Sequence, residues 1–150
     1  MGNPLGLRVA TVCRRRGYLL AHRLATPTVA MYLTERDRDT IRQLITQQLD
    51  AFQRDDAAAA FAFASPSIQA QFGDPETFMK MVKTAYVAVY RPRSVLFEGI
   101  VDMEGLPAQT VVLMSPHGQI VRAIYIMQRQ PDGDWRIHGC MLEPFGNGVE

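Results

Sequence analysis

Two stretches of this chain share one pattern: Ser115-Pro116-His117-Gly118-Gln119 and Gln130-Pro131-Asp132-Gly133-Asp134. Proline suits the first central position of a type I turn, and glycine suits the left-handed residue that follows in a three-residue hairpin loop. Each stretch separates runs rich in Val, Ile, Tyr and Met, so the pattern predicts two consecutive hairpins. Ser115 then lies opposite Gln119, and Gln130 opposite Asp134. Because side chains alternate along a strand, that register fixes the two faces. One face carries Val111, Leu113, Val121, Ala123, Tyr125, Met127, Trp135, Ile137 and Met141. The other carries Thr110, Val112, Met114, Ile120, Arg122, Ile124, Ile126, Arg136, His138, Cys140 and Leu142. A two-residue Asp-Gly turn would set Arg129 and Arg136 among the apolar set, and the three-residue loop gives the cleaner core.

With a fourth run upstream, the strands are expected over 94–104, 109–115, 119–130 and 134–143. The residues before them read as helix. Ile41, Leu44, Ile45, Leu49 and Phe52 recur at spacings of three and four, a single apolar stripe. Thr34 and Asp37 form a capping-box variant ahead of it. Asp55 and Asp56 precede a short alanine-rich helix over 57–64. Ser65-Pro66 opens a turn closed by Gly73, and Asp74-Pro75 opens a third helix with Phe78, Met79, Val82 and Tyr86 on its inner face. Three helices followed by four antiparallel strands make an α+β domain whose helices cover one sheet face. At 150 residues, 47% apolar and 21% charged, the chain suffices for one such domain.

Charge divides the chain unevenly. Residues 1–33 hold five arginines, no lysine and no acid, while residues 34–150 carry a net −4. The first segment is expected to be a poorly structured basic extension, dispensable for folding, upstream of a start at Met31. Arg15-Arg16-Gly17-Tyr18-Leu19 with Thr28-Val29-Ala30 outlines a twin-arginine export signal, and an organelle transit peptide is the other alternative. His22 and Arg23 interrupt the best apolar run of the segment, Tyr18–Ala21, so a cytoplasmic location is preferred. No run reaches the length of a membrane span. The domain is expected over 34–145, with 146–150 a flexible tail.

The segment from Leu49 to Asp56, the alanines with Phe61 and Ala64, and Ile68 after Ser65-Pro66 resemble the opening of the nuclear transport factor 2-like superfamily. Trp135-Arg136-Ile137 after its Pro-Asp-Gly turn resembles the last strand of that superfamily. More closely, residues 34–145 resemble a small bacterial family of unknown function, with Tyr90-Arg91-Pro92-Arg93 before the sheet and Gly139-Cys140 near the end. The resemblance implies a curved sheet closing a cone over a pocket. It implies no single function, because that superfamily hosts isomerases, dehydratases, hydrolases, binding modules and dimerisation domains.

Proton-shuttling in such a cone needs a carboxylate in an apolar enclosure with a tyrosine to polarise a carbonyl. Glu98, the one acid in mid-strand, and Asp102 near that strand's end are the catalytic candidates, although an edge-strand acid facing water is the preferred reading of Glu98. His138 and Cys140, two apart on a strand, sit about 7 Å apart at the backbone, which makes direct thiol activation awkward and favours a buried structural cysteine. His22, His117 and His138 are scattered, so no metal site is expected. Gly146 and Gly148 form no phosphate loop, so no cofactor is expected. Arg91 and Arg93 oppose a body of net −4, and no nucleic-acid partner is expected.

The reading that follows is a non-catalytic module that binds a small apolar ligand or a protein partner. The alternative is a small isomerase, dehydratase or hydrolase using Glu98 or Asp102 with a tyrosine. Tyr86, Tyr90, Val111, Tyr125, Met127 and Trp135 are expected to line the pocket. Val112, Met114, Ile120, Ile124, Ile126, Cys140 and Leu142 are expected on the open sheet face, where a contiguous apolar patch points to a homodimer.

Overall fold

The computed structural model of the chain describes residues 32–145. The basic extension up to Met31, with its export and start signals, and the tail 146–150 lie outside the described residues.

The first helix, α1 (Glu35–Gln53), starts where its cap is strongest. The Asp37 amide donates to Thr34 Oγ1 at 2.9 Å and the Thr34 amide donates to Asp37 Oδ2 at 3.0 Å, a reciprocal capping box. Its buried stripe is the one read from spacing, Ile41, Leu44, Ile45, Leu49 and Phe52, with Gln48 buried beside it. Asp56 caps α2 (Ala57–Ala62) by accepting from the Ala59 amide at 3.0 Å. The Ser65-Pro66 turn is a full helix, α3 (Pro66–Phe72), with proline in its first turn, where a missing amide hydrogen costs nothing. Asp74 accepts from the Thr77 amide to start α4 (Pro75–Ala85). A single further turn, α5 (Val87–Tyr90), links it to the sheet.

The strands β1 (Ser94–Met103), β2 (Leu106–Met114), β3 (Ile120–Arg129) and β4 (Trp135–Pro144) form one antiparallel sheet in the order β1-β2-β3-β4. Both Pro-x-Gly loops close as their residues dictate. Ser115 N–H donates to the Gln119 carbonyl at 2.8 Å and Gln130 N–H to the Asp134 carbonyl at 2.7 Å. Gly118 and Gly133 take φ of 89° and 96°, a conformation that residues with a Cβ rarely adopt. The fold class is therefore α+β, with helices on one face of an open four-stranded sheet.

Two bulges change the faces expected from simple alternation. Glu98 and Gly99 together oppose one residue of β2, and His138 is an extra residue in β4 opposite the Ile126–Met127 step. Beyond His138, parity reverses. Cys140 pairs with Tyr125 and Leu142 with Ala123, so both turn to the helix-covered inner face. Their expected place on the open face is corrected. Met141 takes that place and joins Met103, Ala108, Ile124 and Ile126 in a second, smaller cluster on the outer face. Ile124 and Ile126 were expected to be free for a dimer, yet Ile126 is only 1% exposed.

The main core lies between the helices and the inner face. Phe78 is its aromatic centre, with Phe61, Phe72 and Phe52 ring centroids 5.4, 5.5 and 6.1 Å away. Leu33 already packs against this core. At the other edge, Phe63–Ser65 lies along β4: Ile137 N–H donates to the Phe63 carbonyl, and Ser65 N–H to the Ile137 carbonyl, each at 2.8 Å.

Candidate functional site

A cavity of about 50 Å³ separates the two layers. Gln48 and Phe52 of α1, Ile68 and Phe72 of α3, and Phe78, Met81 and Val82 of α4 form its roof and sides, with Ala64, Tyr86 and Val89 beside them. Tyr125, Ile137, Gly139 and Cys140 form its floor. The helical stripe and strand alternation make this space apolar, since both layers turn their hydrophobic faces to it. The residues that line it include no Asp, Glu, His, Lys or Arg.

Four polar side chains interrupt that lining. Gln48 Nε2 donates to the Ala60 carbonyl at 3.0 Å, tying α1 to α2. The Tyr86 hydroxyl donates to the Cys140 carbonyl at 3.0 Å and so holds α4 against β4. Burial pushes the Cys140 thiol up to about 12, which keeps it protonated. Tyr125 is 1% exposed, and its hydroxyl has no hydrogen-bond partner among the described residues. Burial, with Cys140 and Tyr86 close by, holds its pKa well above the ordinary phenol value. A buried tyrosine normally satisfies its hydroxyl, so this group is an exception.

Of the six expected pocket residues, Tyr86 and Tyr125 line the cavity. Val111 and Met127 are packed into solid core. Tyr90 is half-buried against the edge of the main core and outside the cavity lining; the Arg91 guanidinium lies 4.3 Å from its ring centroid, and the Tyr90 hydroxyl donates to Asp55. That contact, aided by Arg91 and Lys83, lowers the Asp55 pKa. Trp135 lies in a separate surface cleft of about 530 Å³ between α1 and the β3–β4 hairpin. There its indole donates to Asp37 Oδ1 at 3.4 Å, and Arg129 both stacks on the indole and pairs with Asp37. The Thr34 amide, with Thr34 Oγ1, Trp135 and Arg129, holds the Asp37 carboxyl below the usual range.

The two carboxylate candidates are elsewhere. Glu98 sits in the β1 bulge and points to the outer face, where Arg122 grips it with Nε–Oε1 at 2.9 Å and Nη2–Oε2 at 3.2 Å. The guanidinium lowers its pKa, the opposite of what a proton shuttle at neutral pH needs. Asp102 sits at the β1–β2 turn and accepts from the Gly105 amide at 2.9 Å. Neither faces a cavity tyrosine. His138 and Cys140, expected to share a face, are separated by the bulge. His138 Nδ1 instead lies 2.9 Å from Ser65 Oγ, the cap of α3. Among the described residues no group of three His, Cys, Asp or Glu side chains is placed to hold a metal ion, and no helix is long and apolar enough to cross a membrane.

The roof residues Phe78, Val82 and Tyr86 were legible as one helical stripe, but their meeting with Ile68 and Phe72 was not. The signal was the Ser65-Pro66 cap, which marks a helix and not merely a turn.

Fold and site together define a class: an α+β domain with an uncharged cavity between its helical layer and an open sheet. Within it, residues 34–146 match the family described as Domain of unknown function (DUF4864), and the chain belongs to that family. No curated protein and no solved structure matches the sequence.

Proposed function

We propose that this chain is a non-catalytic module that binds a small apolar ligand in the cavity beneath α1 and α4. The observation that carries the reading is the lining itself: an apolar space with hydroxyl, thiol and amide groups but no side chain able to shuttle a proton at neutral pH. The half-buried Phe72 and Met81 border the space, and a methionine there can shift to admit a guest at low cost. Xenon is the plainest probe, because apolar cavities take it up without any polar recognition. Under xenon pressure the methyl resonances of Ile68, Val82 and Ile137 should shift and saturate. Shifts no larger than those of surface methyls would refute the reading.

A second reading is association of two copies through the outer sheet face. Leu96, 64% exposed, adjoins half-buried Val112, Met114 and Ile120 there, a compact apolar corner at one end of the sheet. Sedimentation velocity at micromolar concentration tests it, with Leu96→Glu expected to convert a dimer to monomer. A monomer in the unaltered protein would exclude it.

A further inference from the structure

We infer that the cleft between α1 and the β3–β4 hairpin is a second site, separate from the cavity, for a small monocarboxylate with an apolar body. The cleft has room for one: about 530 Å³ lies within the range of small-molecule sites. Arg36, Arg129 and Arg136 line it together with two acids, Asp37 and Asp134, a net charge of +1. Asp37 is already engaged, because it accepts from the Thr34 amide and the Trp135 indole and pairs with Arg129. The Arg36 side chain is exposed and has no partner among the described residues. Arg136 uses only Nη1, on the Ala62 and Ala64 carbonyls at 3.2 and 3.4 Å, and its Nε and Nη2 hydrogens have no partner among the described residues. Uncommitted guanidinium hydrogens at a cleft suit a carboxylate, whose two oxygens match the planar fork.

Charge and surface narrow the class. A monoanion balances the lining, whereas a phosphate dianion would leave an excess of negative charge beside Asp134. Residues 1–33 hold five arginines and no acid, so the stretch leading into α1 offers no carboxylate side chain to this site. The cavity cannot take such a ligand, since its lining holds no cation. An apolar body suits Leu44, Ala62, Phe63 and Trp135, which line the same cleft as the arginines. The Arg129 guanidinium stacks 4.9 Å from the Trp135 ring centroid, so a guest that draws on Arg129 also alters the surroundings of the one tryptophan in the sequence.

Benzoate and benzamide have one shape and differ in charge, so the pair isolates the carboxylate. Both are titrated by NMR into the full chain and into Arg36→Gln, following the Trp135 indole N–H resonance. Arg36 is exposed on α1 and glutamine suits a helix, so the variant should fold. The expected result is a saturable shift of the indole resonance with benzoate, at an affinity about tenfold above that of benzamide. Arg36→Gln should weaken benzoate about five- to tenfold and leave benzamide unchanged. Equal affinities for the two probes, an indole shift that does not saturate with benzoate, or benzoate binding untouched by Arg36→Gln would each overturn the inference. It does not rest on the cavity, so its failure would leave the ligand-binding reading of that space intact.

Discussion

Removing the Tyr125 hydroxyl should make the ligand-free protein more stable. A buried hydroxyl without a partner costs about 1–3 kcal/mol of native stability, and phenylalanine keeps the buried ring. Against that gain stands the space the oxygen vacates. About 12 Å³, the size of one probe sphere, costs about 0.3 kcal/mol at roughly 24 cal/mol per Å³. The net expectation for Tyr125→Phe is stabilisation of about 0.7–2.7 kcal/mol. For a domain of this size that corresponds to a rise in Tm of about 3–11 °C. Urea denaturation followed by Trp135 fluorescence gives the free energy directly, provided the slope with denaturant is unchanged. Most core substitutions destabilise, so the sign is diagnostic. A Tyr125→Phe protein that is equally or less stable would show that the hydroxyl is satisfied in solution, and the premise of an unpaired donor would fall.

Asp37→Ala removes the acceptor shared by the Thr34 amide, the Trp135 indole and Arg129, and should lower stability by about 2–4 kcal/mol in the same urea assay; a loss below about 0.5 kcal/mol would contradict its role. Acid should weaken the fold in two stages, measured as Tm against pH. Burial lowers the His138 pKa, so its contribution is full above the unfolded value near 6.5 and is lost as pH falls through the native one. Asp37, whose pKa is likewise lowered, gives up its contribution at a lower pH, below the ordinary carboxylate value near 4. In a Cys13→Ser background, Cys140 should react with iodoacetamide at pH 8 roughly a thousandfold more slowly in the native than in the unfolded protein. Comparable rates would place the thiol in solvent.

Local chemistry carried most of the fold. Thr34, Asp56, Ser65 and Asp74 each stand where a helix begins, and each bonds an amide within the first turn. The Pro-x-Gly loops set the register of three strands because their bonds are made within five residues. What alternation could not carry were the two bulges, since they are held by groups distant in the chain. Gln109 Nε2 donates to the carbonyls of Glu98 and Gly99, and the Phe63–Ser65 segment grips β4 beside His138. Both faces of the sheet are apolar near the bulges, so a change of parity left no mark in the hydrophobic pattern. A faint mark did exist. Gly99 stands in one bulge and Gly139 beside the other, and a lone glycine inside a strand is a bulge signal. The cavity depends on that missed step, because it is the bulge at His138 that carries Cys140 to the inner face.

The short bridge of Phe63–Ser65 along β4 also bears on how copies of this protein behave at high concentration. Growth of a shared sheet from molecule to molecule needs a receptive border on both sides of every unit. Here the chain's own backbone occupies part of the β4 border, and the opposite border, β1, is kinked by Glu98 and Gly99. Edge-to-edge joining through β1 would use up that border in both molecules and stop at a pair. The fold thus resists fibre formation by its geometry, whatever the affinity of one molecule for another.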